Sequence, residues 1–468
     1  MKNKFVVFIS VIMCLFVSSF VFAGTKAETQ AMVEKWDKKN LRYSTGMATD
    51  KSRKFIKIPE NYPGKRDFIV AKAVPTVDFA PIRGIYPEFF PDDNQGYWSQ
   101  FAEVTKGSNG CFYMATGDHR CQNGKVFITE YDPVKENQHI VVDVGKICGW
   151  KKNQYVHGKI HGRMDIMQDG TLVAATWNGS PIKQEWLDQG YVKGGYLLTY
   201  NIFTGVAESH GIPFYGDSWP YHSVDTQTGV IMAVGAYDNF MAYNVLEKKL
   251  LYGGMPPDGI KWCRRATLLD ERTGMLYSSD TGTKNNQFVS YNQRTNEFRR
   301  LNCSVPPNPV TGKINSLRAY TARRHPNGLF YCMESSGGIF TFSPDEDKTE
   351  SIGINWDNEG LYVTSVALSP GNRYLYYFLC SKGDAYKWGA PVIQYNIQTG
   401  QKKVIAFLAP YYFDKYGHIL RSTFGIELSE DGSLLVMHMN GMFGPNAEEA
   451  YRYPSIFAIH IPESERKE

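Results

Sequence analysis

Five polar or charged side chains, Tyr155, His157, Lys159, His161 and Arg163, fall within nine residues just ahead of an apolar strand. A second group follows at Trp219, Tyr221 and His222, and a third at Arg264 and Arg265. Arg318, Tyr320 and Arg421 come later. Several arginines converging on one pocket suit a carboxylate or a sulfate, because the planar guanidinium fork binds such groups through two parallel hydrogen bonds. A histidine and a tyrosine beside them supply proton-transfer groups. Together they suit cleavage of a glycosidic bond beside a uronic acid. The carboxylate must be neutralised so that the neighbouring C–H becomes acidic. A base must then take that proton, and an acid must protonate the leaving oxygen. The reaction is a β-elimination and its product is an unsaturated uronic acid. Each residue also has a structural reading: arginines at strand starts cap turns or pair with carboxylates between sheets, and a single histidine in a β-core is often a satisfied interior residue.

Hydrolysis of sugars usually needs two facing carboxylates. Asp165, Asp217 and Asp225 are present, but no pair stands out, and Asp225 and Asp270 belong to recurrent hairpins. No nucleophile-elbow serine, zinc-protease helix, P-loop or dinucleotide fingerprint occurs.

These groups need a scaffold, and a repeated phrase names it. An extended apolar run ends in Tyr131-Asp132, Tyr200-Asn201, Tyr243-Asn244, Tyr291-Asn292, Phe342-Ser343, Tyr395-Asn396 and Ile459-His460. A period of roughly fifty residues, made of alternating strands and polar turns, predicts a radial β-repeat. The fold expected is all-β: a single seven-bladed propeller with a short helical or irregular N-terminal extension. Hairpin turns recur at 107–110, 168–170, 226–229, 270–274, 325–328, 369–372 and 430–432, with Gly or Asn supplying positive φ. In a propeller the innermost strand of each blade lines the axis. Counting back about nine residues from each turn lands near Phe101, His161, Pro220, Arg265, Ala319, Val363 and Thr423. Gln100, Tyr221, His222, Arg264, Arg318, Tyr320, Ser365 and Arg421 lie next to these points. One mouth of the ring is therefore expected to carry histidine, tyrosine and several arginines.

The net charge of +4 over 468 residues gives no case for nucleic acid or a membrane surface. Lys2 and Lys4, the apolar run Phe5 to Phe22 and the small Ala23 read as a signal peptide over 1–23, with cleavage after Ala23. Nothing later is apolar enough to span a bilayer. The mature protein is expected to be secreted or periplasmic. Residues 24–75 read as the extension, helical and polar at first (Glu28 to Lys39) and then Pro-rich, and 76–468 as the propeller. Seven cysteines remain after cleavage. Cys111 and Cys121 flank one hairpin and are a candidate disulfide, while most of the others read as buried thiols.

The run His157-Gly-Lys159-Ile-His161, Asp169-Gly-Thr-Leu leading to Trp177, Gly194 to Asn201, and Trp262-Cys-Arg264-Arg265 leading to Asp270 resemble the seven-bladed propellers that attack glucuronate-linked rhamnose in plant arabinogalactan. The resemblance covers most of 76–460. That family holds hydrolases and lyases and is related in fold to the propeller ulvan lyases. The hydrolase branch resembles a different site, on the opposite face, with a histidine near the propeller's start. This chain has no histidine before His119 and offers Gln95 and Gln100 there. The resemblance thus implies the lyase branch, in which a histidine and a tyrosine handle protons and an arginine holds the uronate. Those roles carry over to His161, Tyr221 with His222 beside it, and Arg264 or Arg265. His157, Trp219, Arg318, Tyr320 and Arg421 are the expected substrate contacts.

The expected partner is an acidic plant glycan or oligosaccharide, and the expected state a monomer. Elimination with arginine neutralisation requires no cofactor, although a structural Ca2+ in the axial channel suits the fold, with no ligand set readable. Two alternatives stay open: hydrolysis of the same linkage from the opposite face, with Gln95 or a nearby acid positioning water, and a non-catalytic propeller that binds acidic glycans.

Overall fold

The computed structural model describes residues 47–81, 98–118, 124–151, 156–178, 193–357, 360–379, 385–443 and 454–467. Seven sheets follow one another and form a seven-bladed propeller. Blades are numbered here along the chain from Ser99. Blade 3 shows the plan: Tyr221–Asp225, Val230–Val234, Phe240–Asn244 and Lys249–Gly254 pair antiparallel in sequence order, from the axis outward.

The recurrent Tyr-Asn phrase is the third strand of every blade, from Val126–Asp132 in blade 1 to Ser455–His460 in blade 7. Its two residues have separate duties. The aromatic or aliphatic member enters the space between neighbouring sheets. Seven separate apolar clusters fill those spaces, and each contains one member of the phrase: Tyr131, Tyr200, Tyr243, Tyr291, Phe342, Tyr395 or Ile459. Burying each such side chain contributes about 1.5–3 kcal/mol. The following Asp or Asn caps the turn to the outer strand. Asn201 Oδ1 accepts from the Phe203 and Thr204 amides, and Asn244 Oδ1 from Leu246 and Glu247. This is the Asx-turn chemistry that makes Asn and Asp turn residues.

Both ends of the chain close the ring. In blade 7, Thr76–Pro81 pairs antiparallel with the third strand, Ser455–His460, and Ala48–Lys51 adds beyond it. Ile69–Val70 extends blade 6 as a parallel edge strand. The stretch before residue 76, read from sequence as an extension, thus supplies strands to two blades at Ala48–Lys51 and Ile69–Val70. Asp78 links the closing strands through His460 Nε2 at 2.6 Å and Thr49 at 2.7 Å.

The expected signal peptide, the Glu28 to Lys39 helix, Gln95, Tyr155, Cys121 and Cys380 lie outside the described residues. Cys111 is a free thiol, so the bridge to Cys121 considered above is not formed. Among the described residues no helix is long and apolar enough to cross a membrane.

Candidate functional site

The inner strands start at one mouth of the ring and run to the opposite face, where the inner hairpins lie. In blade 2, alternation along an extended segment points Lys159, His161, Arg163 and Asp165 one way and Ile160 and Met164 the other. Ile160 and Met164 enter the cluster between blades 1 and 2, which leaves the four polar residues for the axis. Blade 3 contributes Tyr221, and Arg265 comes from the turn before the inner strand of blade 4. In blades 5 and 7, β-bulges break the alternation at Arg318 and Phe424. Bulges re-aim single side chains in this way.

His161 is the hub of the mouth. Its Nε2 lies 2.8 Å from Arg265 Nη1. A guanidinium can only donate, so Nε2 carries the lone pair and the imidazole is neutral. Phe101 stacks on the ring with centroids 5.7 Å apart, and Trp177 and Phe424 meet it edge-on at 5.1 and 6.0 Å. Lys159 Nζ sits over Phe101 at 3.6 Å and over Trp177 at 4.7 Å. The Arg265 guanidinium covers Trp177 at 5.4 Å. Arg318 is held by the Tyr362 hydroxyl and by the Arg265 carbonyl at 3.1 Å. Burial, and then the neighbouring Arg318 charge, pull Arg265 below the usual arginine range. An added anion would relieve both strains. His161 is only 1% exposed, whereas Arg265 is open to solvent as a residue while its guanidinium end is set in against His161 and Trp177. A ligand at this mouth meets Arg265 first.

Deeper on the axis, the Tyr221 hydroxyl donates to Glu103 Oε1 and lies 3.0 Å from the Tyr320 hydroxyl. The Tyr221 and His161 rings are 6.3 Å apart. Burial first, then Glu103, push the Tyr221 pKa well above the ordinary phenol range. Below lies Arg163, reaching Asp165 at 2.5 Å, Glu427 at 3.5 Å and Glu103 at 3.6 Å. Burial opposes its charge, but the three carboxylates outweigh burial and hold its pKa well above the ordinary value. The Arg163 guanidinium lies on the axis among these three carboxylates. Among the described residues no group of three or more His, Cys, Asp or Glu is arranged to hold a metal.

His161, Tyr221, Arg265, Arg318 and Tyr320, all expected from sequence, are thus brought together. Other expected residues are not. Arg264 turns outward, 44% exposed, to pair with Asp238 at 2.5 Å. Trp219 is fully buried in the cluster between blades 2 and 3, its indole N–H directed at the Gly195 carbonyl. His157 is buried against Thr176 Oγ1 at 2.9 Å, and burial lowers its pKa to about 3. His222 alternates away from Tyr221, and burial likewise lowers its pKa to about 3. Arg421 packs over the Tyr386 ring at 5.2 Å. His157, Trp219 and His222 are thus buried, and Arg264 faces solvent.

Lys159 and Arg163 belong to the polar run noted in the sequence but were given no role there, and Glu103, Tyr362, Phe424 and Glu427 were passed over. Continuing the two-residue alternation from His161, and from Phe101 to Glu103, would have found Lys159, Arg163, Asp165 and Glu103. Phe424 sits at a bulge that no count reveals. An open cleft of about 290 Å³ beside Ser369, Asp431, Glu463 and Arg466 lies at the hairpin face and contains none of these groups.

No protein-family model matches this chain, and no curated protein matches it.

Proposed function

We propose that this protein is an exported polysaccharide lyase that removes terminal L-rhamnose linked α-1,4 to D-glucuronate by β-elimination. The observation that carries the reading is the 2.8 Å contact between Arg265 and the neutral Nε2 of His161, beside a buried phenol. It sets a carboxylate-binding cation directly against a base. In the mechanism, the uronate carboxylate draws Arg265 away from His161 and pairs with it, with Arg318 behind. Pairing acidifies the adjacent C–H and uncovers the Nε2 lone pair together. His161 takes the proton, and Tyr221 protonates the departing oxygen. The raised pKa of Tyr221 suits a proton donor and not a tyrosinate base. Phe101, Trp177 and Phe424 wall in His161 and exclude water. Rhamnose as the leaving sugar rests on the resemblance of the His157 to His161 element, and export on the apolar N-terminal run.

The test is incubation of the mature protein with a rhamnosyl-glucuronate oligosaccharide or gum arabic, following ultraviolet absorbance of the conjugated product and free rhamnose in one tube. Both signals rising together is the expected result. Rhamnose without the absorbing product would mean hydrolysis and overturn elimination. A second reading, a non-catalytic receptor for acidic glycans, is favoured by the burial of His161. Saturable binding with neither product would establish it.

A further inference from the structure

We propose that Glu103 and Tyr221 share one transferable proton and form a relay in which Glu103 refills the phenol as Tyr221 protonates the leaving oxygen. The inference rests on the lyase reading above and adds a residue to it. A buried phenol is a poor acid if its proton leaves behind an unsupported tyrosinate. Here the phenol oxygen touches two further hydroxyl or carboxyl groups, Glu103 Oε1 and the Tyr320 hydroxyl. Glu103 is supported in both of its protonation states. Burial raises its pKa and favours the neutral acid, and Asp165 adds to this. Arg163, 3.6 Å from Oε2, favours the carboxylate once it forms, with a smaller contribution from Arg318.

The groups facing Glu103 come from several blades: Arg163 and Asp165 from blade 2, Tyr221 from blade 3, and Arg318 and Tyr320 from blade 5. Glu427 of blade 7 holds the far side of Arg163. Arg163 thereby stays directed at an acid that is neutral before the step and charged after it.

The step balances without any oxidant or reductant. The substrate C–H proton moves to His161 Nε2, and its bonding pair becomes the new double bond. The C–O bond breaks, and the departing oxygen keeps that pair and takes the Tyr221 proton. For this step the neutral Glu103 carries its proton on Oε1 and donates to the phenol oxygen, the reverse of the direction that a Glu103 carboxylate takes, so that the phenol hydrogen is free for the leaving oxygen; the Oε1–H bond of Glu103 breaks as the Tyr221 O–H bond re-forms. The enzyme is left with a His161 imidazolium and a Glu103 carboxylate, and solvent returns the proton from the first to the second.

The experiment compares wild type, Glu103→Gln and Glu103→Asp, with kcat and KM measured across pH. It also records the infrared carbonyl band of a protonated carboxylic acid in the substrate-free proteins. The expected result is a band in wild type at neutral pH that Glu103→Gln removes. Glu103→Gln should lower kcat about 100-fold with little change in KM. Glu103→Asp should recover part of that loss with a displaced pH profile, which a purely structural role would not produce. An active wild type matched by Glu103→Gln in kcat and pH profile overturns the relay alone. Absence of the band in wild type overturns it too, without reference to turnover or to the folding of any variant. A wild type that forms no unsaturated product overturns the lyase reading, and the relay's role in catalysis with it.

Discussion

Gly162 of blade 2 packs against the His222 ring of blade 3 so closely that a β-carbon on Gly162 would lie 2.3 Å from Nδ1. The imidazole is fully buried between the blades and has no room to retreat. Overfilling a packed interior of this kind costs about 1–3 kcal/mol. Gly162→Ala should therefore lower the unfolding free energy by that amount, seen as a lower denaturant midpoint. His222→Ala in the same chain should recover part of the loss, because it removes the opposing ring. An unchanged midpoint in Gly162→Ala would show that the two blades can part at no cost.

His157 and His222 make the fold acid-labile. Burial depresses both pKa values from 6.5 to about 3. A group whose folded pKa is depressed contributes stability above its unfolded pKa and loses it as pH falls towards the folded value. The window here runs from about 6.5 down to about 3. Each histidine adds up to about 1.4 kcal/mol of lost stability per pH unit in that range. Unfolding of wild type and His222→Gln, followed between pH 7 and pH 4, should give a shallower slope for the variant.

At the ring closure the sign reverses. Asp78 raises the His460 pKa through its hydrogen bond, although burial opposes this. A raised folded pKa contributes stability that is present below about 6.5 and is lost as pH rises through the folded value. His460 is 48% exposed, so solvent screening keeps the effect small. Asp78→Asn should flatten the alkaline decline in melting temperature relative to wild type. Parallel curves for the two proteins would rule this linkage out.

The two adjacent arginines should separate cleanly in kinetics. Arg265→Gln removes the cation that contacts His161 and should cost about 100-fold or more in kcat/KM. Arg264→Gln removes an outward ion pair with Asp238 and should stay within a few fold of wild type. His161→Ala and Tyr221→Phe should abolish turnover while leaving the fold intact. Full activity in both of the latter variants would end the lyase reading.

The sheet count was legible because the Tyr-Asn phrase encodes two local necessities, an interblade aromatic and an Asx turn, and both must recur once per blade. The mouth was partly legible for the same reason: the inner hairpins fix a distance along the inner strands, and His161, Tyr221 and Arg265 fall at it. Four kinds of information were not in the spacing. The bulge at Phe424 re-aims a residue without a sequence mark. Arg264 and Arg265 lie in a turn, where neither alternation nor helical period says which one points inward. Trp219 and His222 face the gap between blades, which depends on where the inner strand of blade 3 begins. Glu103, Asp165 and Glu427 come from three blades and are joined only through Arg163.

The strand Thr76–Pro81 finds its partner at Ser455–His460, and Asp78 meets His460 across 382 positions of chain. During synthesis six blades can be complete while the seventh waits for the last strand to emerge. Closure of the ring must wait for that strand, and the contacts it makes are among the longest-range described in the molecule. Until then the faces of blades 1 and 6 that pack on blade 7 stay uncovered, among them Val436, Phe457 and Ile459's future neighbours Phe127, Tyr376 and Phe378. A ribosome-bound or C-terminally shortened chain would carry those surfaces bare, so the last few strands act as a timer on when the protein becomes safe from sticking to itself.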